Sequence, residues 1–197
     1  MPRVVLCLAI FLSSTQSNSS SFSVQVEAFS KYNADYIFVY GAHFFPPDKL
    51  ISEVDAPQKI NCLLGELKAS GIYKDVRVKF RPSSREGSRW LEVRVTYPKY
   101  IKQLAISEIS LEGFPEVDQE KFQSQLRKRG VAPGTRFLTY NFFELRDKIT
   151  EAAGEAYPKE LIREEDDRPA WFVIRPAGSR RVKVTLSSTL PKCEPAA

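Results

Sequence analysis

Gly71-Ile72-Tyr73-Lys74-Asp75-Val76-Arg77-Val78-Lys79-Phe80-Arg81-Pro82 joins a helix stop to a strand start. Upstream of it, Ile60, Leu63, Leu64 and Leu67 recur at helical spacing, and Gly71 follows Lys68 as a left-handed C-terminal cap would. Downstream, Val76, Val78 and Phe80 alternate with Arg77, Lys79 and Arg81, which is a strand with one buried face. Pro82 opens a polar turn. Leu91, Val93 and Val95 then alternate with Glu92, Arg94 and Thr96 on a return strand. The reading is helix, β-hairpin, with one wet face on the sheet.

Working outward, the same order recurs. Ile106, Ile109 and Leu111 mark a strand that ends in Gly113-Phe114-Pro115. Asp118 caps a helix carrying Phe122 and Leu126, closed by Arg127-Lys128-Arg129-Gly130, with cations where the helix dipole favours them. A further helix is predicted over residues 141–153, with Leu145, Ile149 and Ala152 on one face and Gly154 as its stop. A second hairpin follows at residues 170–175 and 182–186. Both hairpins close their first strand with Arg-Pro, at Arg81-Pro82 and Arg175-Pro176. Both second helices are followed by Gly and then Tyr, at Gly71 and Tyr73 and at Gly154 and Tyr157.

The start of the first copy is read from Tyr36-Ile37-Phe38-Val39-Tyr40, a β-branched and aromatic run that suits a strand stopped by Gly41. Pro46-Pro47-Asp48 is read as opening a short helix, broken by Asp55-Ala56-Pro57. Ser23-Val24-Gln25-Val26-Glu27 alternates and is read as an edge strand or a lead-in. The expected fold class is α+β: two tandem β-α-α-β-β units, each a three-stranded mixed sheet packed on a helix pair. The expected organisation is a signal peptide at 1–21, units at 22–98 and 99–190, and a tail at 191–197. Pro98-Lys99-Tyr100 is the linker.

The N-terminus carries Arg3, a short apolar run at residues 4–12 and a small polar stretch, with no acid before Glu27. That pattern reads as a signal peptide cut near Ser17, and the run is too short to span a bilayer. Export leaves two cysteines, Cys62 and Cys193, in a compartment that permits a disulfide. Cys62 falls in a predicted helix and Cys193 in the tail. A buried Cys and an unrelated tail Cys is the preferred reading, and pairing stays open.

Composition argues against several functions. With 197 residues, 29 basic and 24 acidic, the net charge of +5 is a mild bias rather than a nucleic-acid footprint. The single histidine, His43, sits beside aromatics and is read as structural, which leaves no material for a Ser-His-Asp triad or a His-rich zinc site. Neither a Gly-x-Gly fingerprint nor a P-loop occurs. Glu164-Glu165-Asp166-Asp167 lacks the spacing of a calcium loop and is read as a solvated segment. Arg127-Lys128-Arg129 and Arg180-Arg181 are read as a charged helix end and a charged turn. The expectation is no enzyme, no cofactor, no metal and no nucleic acid.

The repeated order resembles tandem POTRA (polypeptide-transport-associated) domains, the modules that precede the barrels of bacterial outer-membrane assembly and secretion proteins. The family marks matched here are Gly41, the run from Gly71 to Val78, and the return strand at residues 89–97. In the second copy they are Ile109-Ser110-Leu111-Glu112-Gly113-Phe114 and residues 130–137 and 182–186. Residues 46–57 are shorter than the family usually shows. The resemblance implies a periplasmic, outer-membrane-associated interaction module. Its partner would be an outer-membrane barrel protein or an unfolded polypeptide, with peripheral membrane association. It implies that the first strand of each hairpin lies at a sheet edge and can take a strand from another chain. The residues so assigned are Val76, Arg77, Val78, Lys79 and Phe80, and Trp171, Phe172, Val173, Ile174 and Arg175. The competing reading is a scaffold or spacer in an envelope or division complex that binds no free peptide.

Overall fold

A computed structural model of the chain describes residues 21–32, 34–137, 142–157, 171–189 and 193. The expected signal peptide with its cut near Ser17, and the run Glu164-Glu165-Asp166-Asp167, lie outside them. The element order is β1 (Ser21–Phe29), α1 (Asp35–Phe44), β2 (Ile51–Ser52), α2 (Ala56–Ala69), β3 (Asp75–Pro82) and β4 (Ser88–Thr96). After a 3-10 turn at Ile101–Gln103 come β5 (Ala105–Glu112), α3 (Gln119–Lys128), α4 (Phe142–Ala156), β6 (Trp171–Pro176) and β7 (Arg181–Ser187). The fold is α+β, with two mixed sheets. One has strand order β2-β1-β4-β3 and the other β5-β7-β6. In each, the first long strand runs parallel to the last strand of its hairpin, β1 beside β4 and β5 beside β7.

The first sheet corrects the reading of the chain's start. Residues 36–40 are helical, inside α1. Tyr36, Ile37, Tyr40 and Phe44 are buried on one helical stripe, so helix periodicity outweighs β-rich composition. Gly41 does not stop a strand. It lies within α1, where an added Cβ would meet Val26 Cγ2 at 2.9 Å, so its bare backbone lets α1 lie close on β1. The first strand of the unit is Ser21–Phe29, the inner strand of the sheet rather than an edge. Residues 46–48 form a turn, since α1 has already ended at Phe44. This sheet has four strands, not three. The two-residue β2 pairs with β1 as Phe22↔Ile51, and both side chains are buried.

The second unit follows its pattern. Asp118 accepts a hydrogen bond from Lys121 N (3.0 Å) as the cap of α3. Gly154, read as a stop, instead lies within α4, which continues to Ala156. Leu145, Ile149 and Ala152 are fully buried. Inward residues of both sheets and all four helices form one continuous apolar cluster, which spans both units.

Contacts between the units fix one against the other. Tyr40 on α1 donates its hydroxyl to the Phe172 carbonyl on β6 (2.8 Å). Burial pushes the Tyr40 phenol up to about 12, so it stays a donor throughout the neutral range. Arg175 Nη2 lies 2.9 Å from both carboxylate oxygens of the buried Glu66 on α2. The His43 ring meets Trp171 edge to face at 4.5 Å. Cys62 and Cys193 form a disulfide, with Cα atoms 5.0 Å apart, which corrects the preferred reading of two unrelated cysteines. Cys193 is thereby held against α2, a long-range approach that neither Cys signals locally.

Candidate functional site: an open sheet edge

Strands β3 and β6 both lie at sheet edges, with β4 and β7 on their inner sides. What separates them is the state of their outward backbone. The first bond of the β1–β4 ladder runs from Ser23 N to Gly87 O (2.8 Å), which turns the odd-numbered β4 residues toward β1 and the even-numbered ones toward β3. β3 pairs with β4 as Arg77↔Arg94, Lys79↔Glu92 and Arg81↔Trp90. The backbone groups of Arg77, Lys79 and Arg81 are therefore directed at β4. Those of Val76, Val78 and Phe80 point away from the sheet. Among the described residues no strand pairs there and no side chain bonds those groups.

The β6 edge is different. Ala177 N bonds Arg181 O (2.9 Å), and with the register Phe172↔Leu186 and Ile174↔Val184 this turns Phe172 and Ile174 outward from β7. Tyr40 takes the Phe172 carbonyl, and the Arg175 guanidinium takes that of Ile174 (3.0 Å). Phe172 and Ile174 themselves are core, while Trp171 and Val173 are half-buried. The outward carbonyls of β6 are thus taken, that of Phe172 by the first unit and that of Ile174 by Arg175, while those of β3 are left open. Sequence could not separate the two, because Tyr40, which takes the Phe172 carbonyl, and Glu66, which anchors Arg175, are each more than 100 residues away.

The side chains of β3 divide by face. Val76, Val78 and Phe80 pack toward the helices, with Phe22 and Phe45 edge to face against Phe80 at 5.3 and 5.9 Å. The open face carries three cross-strand rows: Arg77, Arg94 and Phe29; Lys79, Glu92 and Glu27; Arg81, Trp90 and Gln25. Arg94 lies over the Phe29 ring at 4.1 Å from its centre. Glu92 sits at the middle of this face, bonded by Arg94 (2.6 Å) and Arg81 (2.8 Å), with Lys79 at 3.3 Å. Its side chain is only 1% exposed, yet what shields it is a lid of long, partly solvated cations rather than the core. The Arg94 bond above all, then those of Arg81 and Lys79, holds its carboxyl down at about 2.

A pH prediction follows from that carboxylate. Its folded value lies below its ordinary 4.5, so its stabilising contribution is complete above about pH 4.5 and is lost as pH falls through about 2. Urea unfolding at pH 5 and pH 3 should show a smaller loss for Glu92→Gln than for the wild type. Equal losses would mean the cluster contributes nothing.

The other polar features sit elsewhere. His43 is half-buried, and burial, then Lys59, lowers its pKa, so it is neutral at pH 7. Arg129 bonds Glu155 and Glu151 on α4, and Arg180 donates to Gln103 Oε1 (2.8 Å), so two of the basic-run residues are tied within the fold. No cluster of three or more His, Cys, Asp or Glu among the described residues is placed to hold a metal ion. Among those residues no helix is long and apolar enough to cross a membrane.

No protein-family model and no curated protein matches the chain. It is similar to several solved structures. POTRA domains 3–5 of BamA from Haemophilus influenzae align at 14% identity over 84% of this chain and 59% of that one, with a TM-score of 0.32. BamA from Haemophilus ducreyi lacking POTRA domains 1–3 aligns at 12% identity and a TM-score of 0.29, and the chain spans 28% of its length and 84% of its own. POTRA domains 1–2 of the periplasmic domain of Omp85 from Anabaena align at 12% identity over 87% of this chain and 96% of that one, with a TM-score of 0.29.

Proposed function

We propose that the protein is an exported, non-enzymatic interaction module that takes an extended polypeptide strand on the open edge of β3. Its setting is the periplasm, in outer-membrane protein assembly or secretion, with a barrel protein or unfolded precursor as partner. The observation that carries this is the outward backbone of Val76, Val78 and Phe80, left unpaired in a chain that caps its other hairpin edge. Such an edge supplies main-chain hydrogen bonds to an extended segment, and side chains beside it set the preference among segments. Of the two strands implied by the resemblance, β3 is the docking strand in this reading, and β6 instead meets the first unit through Trp171, Phe172 and Arg175.

The test is a proline scan of the two hairpin strands. Val78→Pro removes an N–H that points away from the sheet, so the fold is expected to survive with a small loss of stability. Binding of a labelled extended peptide, read by fluorescence anisotropy, is expected to weaken about tenfold or more. Val93→Pro, on the inner strand β4, should instead abolish the fold, since that residue is fully buried and flanked on both sides. Parallel loss of fold and binding at Val78 would sink the edge-strand reading.

A second reading has its own observation. The units are fixed by Tyr40, Glu66, Arg175 and the Cys62–Cys193 bond, as a rigid spacer requires. A protein that binds no extended peptide while holding that geometry would be a scaffold in an envelope complex.

A further inference from the structure

We propose that the strand taken up at β3 carries acidic side chains at every second position, facing Arg77, Lys79 and Arg81, and that a second copy of this chain is refused at the same edge. This rests on the reading of β3 as a docking edge and adds the chemistry of its partner. Residues that alternate on an added strand fall on alternate faces, so one set extends the apolar side and the other lies on the open face. Directly opposed side chains stand about 4.5–5.5 Å apart at Cβ, near enough for charge to count.

After Asp75 at the start of the strand, the open face offers that set three successive cations along its edge. The Arg77 side chain is 81% exposed, Lys79 64% and Arg81 45%. On its inner side this row already takes a carboxylate. Glu92 lies directly across from Lys79 in the register and gathers Lys79, Arg81 and Arg94. The outer side has no equivalent. The Arg77 row contains Arg94 and Phe29 and no acid, and the ion-pair partner of Arg77 is Asp75, from its own strand, at 3.0 Å. An incoming carboxylate at each of the three positions would complete outside β3 what Glu92 does inside it.

The same alternation disfavours self-pairing. A second β3 aligned antiparallel about Lys79 sets Lys79 against Lys79, and Arg77 against Arg81 twice. Either shift by two residues still sets cations together, Lys79 against Arg81 or Arg77 against Lys79, and only the second also brings Asp75 against Arg81. A shift by one turns the charged set onto the apolar side. Pro82 adds a position with no N–H at the end of the strand.

The experiment uses the purified protein and three labelled octapeptides that share one alternating valine frame, with Glu, Gln or Lys at the intervening positions. At low salt the Glu peptide is expected to bind about tenfold more tightly than the Gln peptide, with the Lys peptide weakest. The preference should shrink at high salt, because the face is solvated. The double variant Arg77→Glu, Lys79→Glu should reverse the order. Equal binding of all three peptides would overturn charge selection while leaving strand addition intact. Binding of none would overturn strand addition itself. Self-association in sedimentation equilibrium, abolished by Val78→Pro, would overturn the refusal of a second copy.

Discussion

Cys193→Ser should lower the unfolding free energy by about 2–4 kcal/mol, a large loss for a single residue outside the core. The bond joins residues separated by 131 positions, running from α2 in the first unit to the segment after β7. A cross-link of that span removes much chain freedom from the unfolded state, and the chain-entropy account gives roughly 4–5 kcal/mol as its ceiling. Because it ties α2 to the far end of the second unit, it also couples the two units. Urea titrations of wild type, Cys193→Ser, Cys62→Ser and the double variant test this. The double variant should be no worse than Cys62→Ser, because each substitution breaks the same bond. Cys62→Ser should be slightly worse than Cys193→Ser, since Cys62 is buried and its replacement brings a hydroxyl into the cluster. Reduced wild type should match Cys193→Ser. A loss below about 0.5 kcal/mol on reduction would show that the bond does not contribute. A bond of this kind persists in an oxidising compartment, which supports the export reading.

The second unit was legible in the sequence because its signals are local. Ile106, Ile109 and Leu111, the Asp118 cap, and the alternation of Val182, Val184 and Leu186 each specify an element within a few residues. The hairpin β3–β4 was legible for the same reason. The start of the first unit was not. Tyr36-Ile37-Phe38-Val39-Tyr40 has the composition of a strand, and its burial stripe at Tyr36, Ile37, Tyr40 and Phe44 is helical. Composition and period disagree there, and period decides because the helix must cover β1. β1 itself gave a weak signal, since its partner β4 is parallel to it and more than 60 residues away. Gly41 shows how a residue type misleads. Its type suggests punctuation, whereas its role is the approach of α1 to Val26.

The candidate site divides the same way. That the first strand of each hairpin is an edge came from the family resemblance. That one edge is capped and the other open depends on Tyr40 and Arg175, and Arg175 is itself anchored by Glu66. These are tertiary facts, set by how the units meet. The basic alternation of Arg77, Lys79 and Arg81 is visible in the sequence, where it marks only the wet face of a strand. Its direction along an open edge is what gives it a chemistry.

Gly71→Ala is the substitution that most directly tests how the units meet, with an expected loss of about 2–4 kcal/mol. Two costs add there. Gly71 has φ +68°, in the left-handed region, and any L side chain is strained by roughly 1 kcal/mol in it. An added Cβ would also stand 2.6 Å from Pro176 Cγ at the end of β6, a contact that forces one unit to shift against the other. Gly87 provides the control. Its φ is +69°, nearly the same, and nothing lies within 4 Å of its added Cβ. Gly87→Ala should therefore cost only the backbone term, about 1 kcal/mol. The difference between the two variants isolates the inter-unit contact. Adding Pro176→Ala should recover part of the Gly71→Ala loss and none of the Gly87→Ala loss, because only the first clash involves the proline ring. Equal losses at both glycines would mean that the units do not meet at Gly71 and Pro176. They would then be held together by the remaining inter-unit contacts, chiefly Tyr40 on Phe172, Arg175 on Glu66 and the disulfide. If the losses differ as expected, the seam between the units is stiff at the end of β6, and the open edge of β3 is held at a fixed angle to the second sheet.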